Sequence, residues 1–392
     1  MSRALFSLNS DLKQLREEGY CVHKKGGFLV MSQVPYVNAA RQVKMGTLIS
    51  SLAMAGDRTM PPDTHVMHFD GEYPCHANGQ PISQIKHQSA TKNLGAGLTS
   101  HHSFSSKPAG GYPDYHAKMT AYATIVSGPA AVLQPGLTPR VFQTPIEEEE
   151  TIFNYTETAS DRAGIGALTE RLSTDRVGII GCGGTGSYIL DLVAKTPVRE
   201  IHLFDEDIFL QHNAFRAPGA PSLDELRDAA LKVDYLARIY SKMHKGIVSH
   251  PIAIDDRNTE LLNGITFAFV SMDAGASKRA VVAKLEGMGI PFVDVGMGLE
   301  LVDGSLGGIL RVTTSTPTMR RHVHAGRISF AGAPDDAIYA SNIQVADLNM
   351  LNAALAVMRW KKLRGFYRDL EREHHTTFTT DGNMLLNEDV EC

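Results

Sequence analysis

Cysteine is scarce in this chain. Its 392 residues include four, Cys21, Cys75, Cys182 and Cys392, and no two of them form a C-x-x-C pair. That excludes a zinc-ribbon or thioredoxin-like pattern, and four scattered thiols in a chain this long make no disulfide framework. A reducing, cytoplasmic setting is expected. No apolar run reaches the ~18 residues that a membrane span needs. Residues 1–20 mix charges with short apolar pieces, unlike a signal peptide. A basic surplus is missing as well: 38 Lys and Arg stand against 43 Asp and Glu, a formal charge of −5. Neither nucleic acid nor a membrane is therefore an expected partner. Internal repeats are absent, and the one biased tract is a run of glutamates at 147–150.

What is present is ordinary globular material, 43% apolar and 21% charged, with length enough for two or three domains. Pro135, Gly136, Pro139 and Pro145, followed by the acidic run, read as a solvated connector. The expected organisation is a small α+β recognition domain at 1–145, an acidic linker at 146–163, and a larger α/β domain at 164–392 ending in a helix.

In the larger domain, short apolar runs at 177–180, 201–204, 247–254, 267–270, 291–295 and 308–313 read as strands. Helical spacing occupies 187–195, 223–244, 276–287 and 346–368, the last with Leu348, Leu351, Leu355 and Met358 on one stripe. This alternation predicts a Rossmann-like, mostly parallel sheet with helices on both faces. Upstream, strands are expected at 27–30, 65–69 and 121–126, and a helix at 43–54. That region holds His23, His65, His68, His76, His87, His101, His102 and His116, with Cys75 and Asp70 nearby. None of their spacings is a standard zinc pattern, so they read as loop residues rather than ligands. Residues 101–115 are too rich in aromatic and turn residues for a linker and read as a docking surface.

Chemistry concentrates after the first strand of the larger domain. Gly181, Gly183, Gly184 and Gly186, with Ser187, end a strand and open a helix. Glycines there let the backbone turn tightly and approach a phosphate at the helix N-terminus. Asp205 ends the next strand, where a carboxylate suits a ribose hydroxyl. Asp207, Asn213, Arg216, Lys232 and then Asp273, at the end of the 267–270 strand, follow in order. Hydride transfer has no need of an arginine, a lysine and a second strand-end carboxylate near phosphates. Attack of a carboxylate on an α-phosphate does: charge develops on phosphoryl oxygens and pyrophosphate leaves, which calls for cations and a metal. Asp273 suits Mg²⁺, which takes one or two carboxylates plus substrate phosphates.

From about 162 to 342 these motifs resemble the ThiF-type superfamily, the sulfur-carrier-activating enzymes of thiamine and molybdopterin synthesis and the ubiquitin-activating enzymes. The matching pattern is G-x-G-G-x-G, then D-x-D-x(5)-N-x-x-R, a lysine on the next helix, and a strand-end aspartate. The resemblance implies ATP and Mg²⁺ as cofactors. Asp205 would hold the ribose, Asn213, Arg216 and Lys232 the phosphates, and Asp273 the metal. It also implies a homodimer, with Arg162 as a candidate for the arginine that one subunit lends to the other's γ-phosphate. Here the Arg216–Lys232 interval is slightly long and contains Pro218 and Pro221.

The chain departs from that pattern in having no cysteine between Gly183 and Glu391. The usual thioester is excluded, the paired zinc-binding cysteines of several relatives are missing, and no zinc is expected. The acyl group would pass directly to a partner, to Cys75 or Cys392, or to a hydroxyl among Thr314, Ser315 and Thr316 in a polar loop. Cys182, inside the glycine loop, reads as a small spacer whose thiol pKa an electropositive setting would lower.

Taken with the upstream domain and residues 339–344, the chain resembles bacterial ubiquitin-activating-like proteins with an extra N-terminal domain. The implied function is adenylation of the C-terminal carboxylate of a small ubiquitin-like carrier, the activating step of a conjugation pathway, with a conjugating-enzyme-like acceptor as second partner. Adenylation of a sulfur carrier, or of a peptide or small-molecule acid in natural-product assembly, is the alternative. From other classes come an NAD-dependent oxidoreductase and a catalytically silent scaffold.

Overall fold

The computed structural model describes residues 2–143, 151–331 and 343–390, with side chains for all of these except 2–4, 161 and 162. The glutamate run at 147–150, Cys392 and most of 339–344 lie outside the described residues. Two compact units divide between Glu170 and Arg171. Among the described residues no helix is long and apolar enough to cross a membrane.

The upstream unit is built on an antiparallel sheet. Its strands are β1 (Cys21–Lys25), β2 (Phe28–Val37), β3 (Val43–Ser51), β6 (Val66–Asp70), β7 (Lys86–Gly95) and β8 (Leu98–Ser105), in the order β1-β2-β3-β6-β8-β7. A two-residue ladder, β4 (Met54–Ala55) with β5 (Arg58–Thr59), stands apart. The helix Tyr115–Leu133 packs on β2 and β3.

Two expectations fail here. Where a helix is expected at 43–54, residues 43–51 form β3 and Met54 begins β4. Val43, Thr47 and Ile49 are stiff at χ1, and pairing with β2 on one side and β6 on the other outweighs weak helical propensity. Residues 121–126 lie inside a helix rather than a strand. Asp114 caps that helix by accepting from Ala117 N at 2.7 Å. Tyr115, Met119, Tyr122 and Val126 then fall on one buried face.

Four of the eight upstream histidines meet a nearby side chain. His87 and His102 meet Ser103 and Ser89 at 2.9 and 3.0 Å. His101 meets Asp70 at 2.9 Å, and His116 meets Glu18 at 2.8 Å. Among the described residues no three His, Cys, Asp or Glu side chains converge as a metal cage.

The downstream unit has the expected Rossmann-like core. Its eight-stranded sheet runs β11-β10-β9-β12-β13-β14-β15-β16. The parallel part comprises β9 (Arg176–Ile180), β10 (Glu200–Phe204), β11 (Ile247–His250), β12 (Phe267–Val270) and the start of β13 (Phe292–Val302). From there β13, β14 (Ser305–Ser315), β15 (Glu373–Thr379) and β16 (Met384–Val390) continue as an antiparallel meander. One face is covered by the helices Gly184–Val193, Lys232–Tyr240 and Ala346–Leu363, and the other by Ala276–Gly287.

The 223–244 helix is broken in two, Leu223–Arg227 and Lys232–Tyr240. Ala229 adopts a left-handed φ of 44°. The freed backbone bridges to the segment after β10: Phe209 N donates to Ala230 O, and Lys232 N to Asp207 O, both at 2.8 Å. This break places Lys232 beside the end of β10.

The last helix stops at Leu363 because Gly365, with φ 68°, ends it as a left-handed C-terminal glycine does. Its buried stripe is Asn349, Asn352, Ala353, Ala356, Val357 and Trp360 rather than the expected leucines, and Met358 is 42% exposed. Small and amide side chains allow the close approach to the Gly184–Val193 helix. At the base of the sheet Asp175 accepts from Trp360 Nε1, Arg364 Nε and Thr266 Oγ1 at 2.7–2.9 Å, tying helix to strand.

His244 is fully buried, its Nε2 donating to Val198 O at 2.9 Å while Nδ1 accepts from Gly246 N at 3.0 Å. Burial lowers its pKa from 6.5 to about 4. Between those values the unfolded chain binds the extra proton, so stability is complete above pH 6.5 and drains as pH falls toward 4. The loss expected from this one group is on the order of 2–3 kcal/mol. Urea unfolding at pH 7.5 and 4.5 should show a steeper acid loss for wild type than for His244→Gln. Equal losses would refute the assignment.

Candidate active site

The site forms where strand order reverses: β9 feeds β10 on one side and is flanked by β12 on the other. Crevices of open α/β sheets lie at such points, beyond the carboxyl ends of the strands.

The four loop glycines do different things. Gly181 has φ 90°, and a Cβ there would meet Ser271 O at 2.2 Å. A Cβ on Gly186 would meet Gly181 O at 2.0 Å, so this glycine sets the helix tight against the strand. Gly184 is filled by the C-terminal helix, since its Cβ would meet Asn349 Nδ2 at 2.1 Å. Gly183 has open space at its Cβ position, which leaves its backbone approachable at the helix N-terminus. Ser187 is 1% exposed and its hydroxyl donates to Gly184 O at 2.8 Å, which makes it part of the loop's frame. Thr185 donates to Asn349 Oδ1 at 2.9 Å.

Asp205 joins this loop to the segment after β10. Its Oδ2 accepts from Cys182 N at 2.7 Å and its Oδ1 from Asp207 N at 2.9 Å. Lys232 Nζ sits 3.5 Å from Asp205 and 2.5 Å from Asp207. The lysine thus neutralises two carboxylates here. Asn213 is 3% exposed and accepts from Leu210 N at 2.8 Å, closing the short helix Gln211–Ala214. Arg216 follows at once. Its carbonyl accepts from Asn349 Nδ2 at 3.3 Å, while its buried Nε has no hydrogen-bond partner among the described residues.

A cleft of about 170 Å³ opens on the β12 side of the loop. Thr185, Asp273, Gly296, Arg311, Asn349 and Asn352 are among its lining residues. β12 ends level with Asp294 of β13, so Val295–Met297 lies past the end of β12 and forms the far wall. Beneath it Asp294, with no exposed surface, pairs with Lys278 and Arg311, each at 2.6 Å. Lys278 also donates to Met272 O at 3.1 Å, which fixes the stretch carrying Asp273. Lys278, Asp294, Arg311, Asn349 and Asn352 were not singled out from sequence. Asp294 was findable, since a carboxylate inside the apolar run of a parallel strand marks a buried charge.

Other expected residues do not join the site. Thr314, Ser315 and Thr316 do not form an accessible loop: the first two belong to β14, and all three are buried, at 1%, 0% and 8% exposure. β13 pairs with Thr314 and Ser315 on one side, and Thr316 meets Thr318 Oγ1 at 3.0 Å. Cys75 is buried in the upstream unit, where burial raises its thiol pKa. Burial also raises that of Cys182, against the expected lowering, with Asp205 adding to the effect and Lys232 opposing it. The side chain of Arg162 and all of Cys392 lie outside the described residues.

Loop, strand-end carboxylates and cleft together define a nucleotide-binding α/β domain of Rossmann-like construction. Residues 158–332 match the ThiF family, a family of adenylyltransferases, and this part of the chain is a ThiF-family domain. Residues 10–158 match a domain of unknown function, DUF6791. Among similar solved structures, E. coli MccB with AMPCPP and MccA aligns at 17% identity and TM-score 0.45, covering 59% of this chain and 71% of that one. E. coli MccB with ATP aligns at 16% and 0.44, covering 58% and 67%. PaaA aligns at 16% and 0.44, covering 57% and 76%. No curated protein sequence matches the chain.

Proposed function

We propose that the chain uses ATP to adenylate the C-terminal carboxylate of a small ubiquitin-like protein, the activating step of a conjugation pathway. The observation that supports it most is the cleft beyond β12, which adjoins the glycine loop and has both Asp273 and Arg311 in its lining. A carboxylate oxygen of the carrier attacks the α-phosphorus of ATP, the new O–P bond forms, and the bond to the β-phosphate oxygen breaks to release pyrophosphate.

In this reading the amide of Gly183 and the following helix N-terminus receive phosphate oxygens. Arg216, held by Asn349 through its carbonyl, offers its unpartnered Nε to the charge that builds up in the transition state. Lys232 exchanges a carboxylate partner for a phosphate. Asp273 offers one hard carboxylate oxygen on the cleft side of the loop, a donor set that fits Mg²⁺ shared with substrate phosphates. When bound, that ion offsets the charge of the leaving pyrophosphate.

The acceptor is inferred to belong to a partner. No cysteine lies between Gly183 and Glu391, and the hydroxyls of 314–316 are buried. A conjugating-enzyme-like nucleophile then attacks the acyl carbon of the adenylate, taking the carrier's acyl group as the bond to phosphate breaks and AMP leaves. Service as a homodimer in the cytoplasm belongs to the same reading.

The test is ATP–pyrophosphate exchange by the purified chain, with and without a small glycine-tailed protein encoded beside its gene. Carrier-dependent exchange is expected. Exchange that answers instead to a free peptide acid would move the reading to peptide activation, and absence of ATP binding would end it. Arg216→Ala should slow exchange by about 10²–10³-fold, the loss typical of one transition-state donor. A wild-type rate would remove Arg216 from the mechanism.

A further inference from the structure

Asn352 carries an acceptor that nothing fills. It has no exposed surface, and its Nδ2 donates to Gly296 O at 3.0 Å, which fixes how the amide points. The other atom, Oδ1, is buried, and no hydrogen-bond partner for it exists among the described residues. Leaving a buried acceptor unmet carries its full desolvation cost. Asn352 lines the cleft, so a donor entering there would recover that cost.

The surroundings restrict the donor. Gly296 joins Asn352 to Arg311: its carbonyl takes the Asn352 amide, and a Cβ on it would meet Arg311 Nη2 at 2.6 Å. Lys278 and Arg311 together face the single charge of Asp294. Asp273 is the carboxylate of the lining, Asp294 lying beneath it, and is given to the metal in the reading above. A second cation, such as the ammonium of a free amino acid, is disfavoured beside Arg311. A neutral N–H that arrives next to a carboxylate is favoured. The cleft also continues into an open groove lined by Gly296, Met297, Gly298, Ile309 and Arg311. Gly298 has nothing near its Cβ position, so the groove floor leaves room for an extended chain.

We propose that Asn352 is a specificity-determining residue whose Oδ1 accepts the last peptide N–H of the acid substrate, the one on the residue that bears the reacting carboxylate. The inference rests on the adenylation reading and narrows it. The substrate ends in a secondary amide, so free amino acids and acids ending in proline or another N-alkylated residue are rejected.

Two acyl-adenylate mimics test this on the full chain: sulfamoyladenosine acylated with N-acetylglycine, and the same compound acylated with N-acetylsarcosine, which lacks the N–H. Calorimetric Kd values should favour the glycine compound by about tenfold in wild type, the size expected when a buried acceptor is left unmet. In Asn352→Leu the two should bind alike. Should Leu fail to fold, as judged by its melting curve, Asn352→Ser takes its place. Equal affinities in wild type, or a preference that survives in the variant, would overturn the proposal. ATP is titrated alongside. ATP binding with no preference between the mimics removes this inference alone, whereas no ATP binding removes the adenylation reading and this with it.

Discussion

Asp294→Ala is expected to destabilise the downstream unit by about 3–5 kcal/mol, the cost of leaving the buried Lys278 cation without its counter-charge. The carboxylate has no exposed surface and holds Lys278 and Arg311 at 2.6 Å each. Lys278 has 4% of its side chain exposed, so water cannot replace the lost partner. Arg311 would keep the Thr313 hydroxyl and the Arg327 carbonyl on its Nη1, at 2.9 and 2.7 Å, while its Nη2 would lose the carboxylate. Asp294→Asn should cost less, since it keeps the shape and an acceptor. Replacing the pair together, Lys278→Met with Asp294→Leu, should recover much of the loss, because a packed apolar pair needs no desolvation. Urea midpoints for the three variants check the scheme. A loss under about 1 kcal/mol for Asp294→Ala would show that the charges are not truly buried.

Asp273→Ala should do the opposite, leaving the fold and removing the activity. Asp273 is exposed in the lining of the cleft, and substitutions at such positions usually change stability by no more than about 0.5 kcal/mol. If it holds the metal, exchange should fall by at least about 10³-fold, because Lewis-acid stabilisation is worth several kcal/mol in the transition state. The melting temperature, measured on the same preparation, separates loss of chemistry from loss of structure. Near-wild-type exchange at saturating Mg²⁺ would take Asp273 out of the metal site.

The parallel core was readable in sequence because each strand is a short apolar run stopped by glycine or a charge. β9 before Gly181 and β12 before Asp273 both show this. Residues 43–54 were misread because an apolar segment with β-branched residues is settled by its neighbours in the sheet. The interruption at Ala229 left no local mark. Glycine usually announces a left-handed backbone, and here an alanine takes it so that 229–231 can bridge to 207–209. Asn349 and Asn352 were invisible for a related reason. On a helical wheel they spoil an apolar stripe, whereas in the fold they meet Thr185, Arg216 and Gly296.

The contact between Thr185 and Asn349 spans 164 residues. Gly184, beside it, is shaped around the same asparagine. During synthesis the glycine loop leaves the ribosome long before the helix that braces it, and contacts of such separation close late. A nascent chain therefore carries an unfinished phosphate cradle until its last helix docks. On the proposed reading, ATP turnover waits until the helix Ala346–Leu363 has docked on the loop.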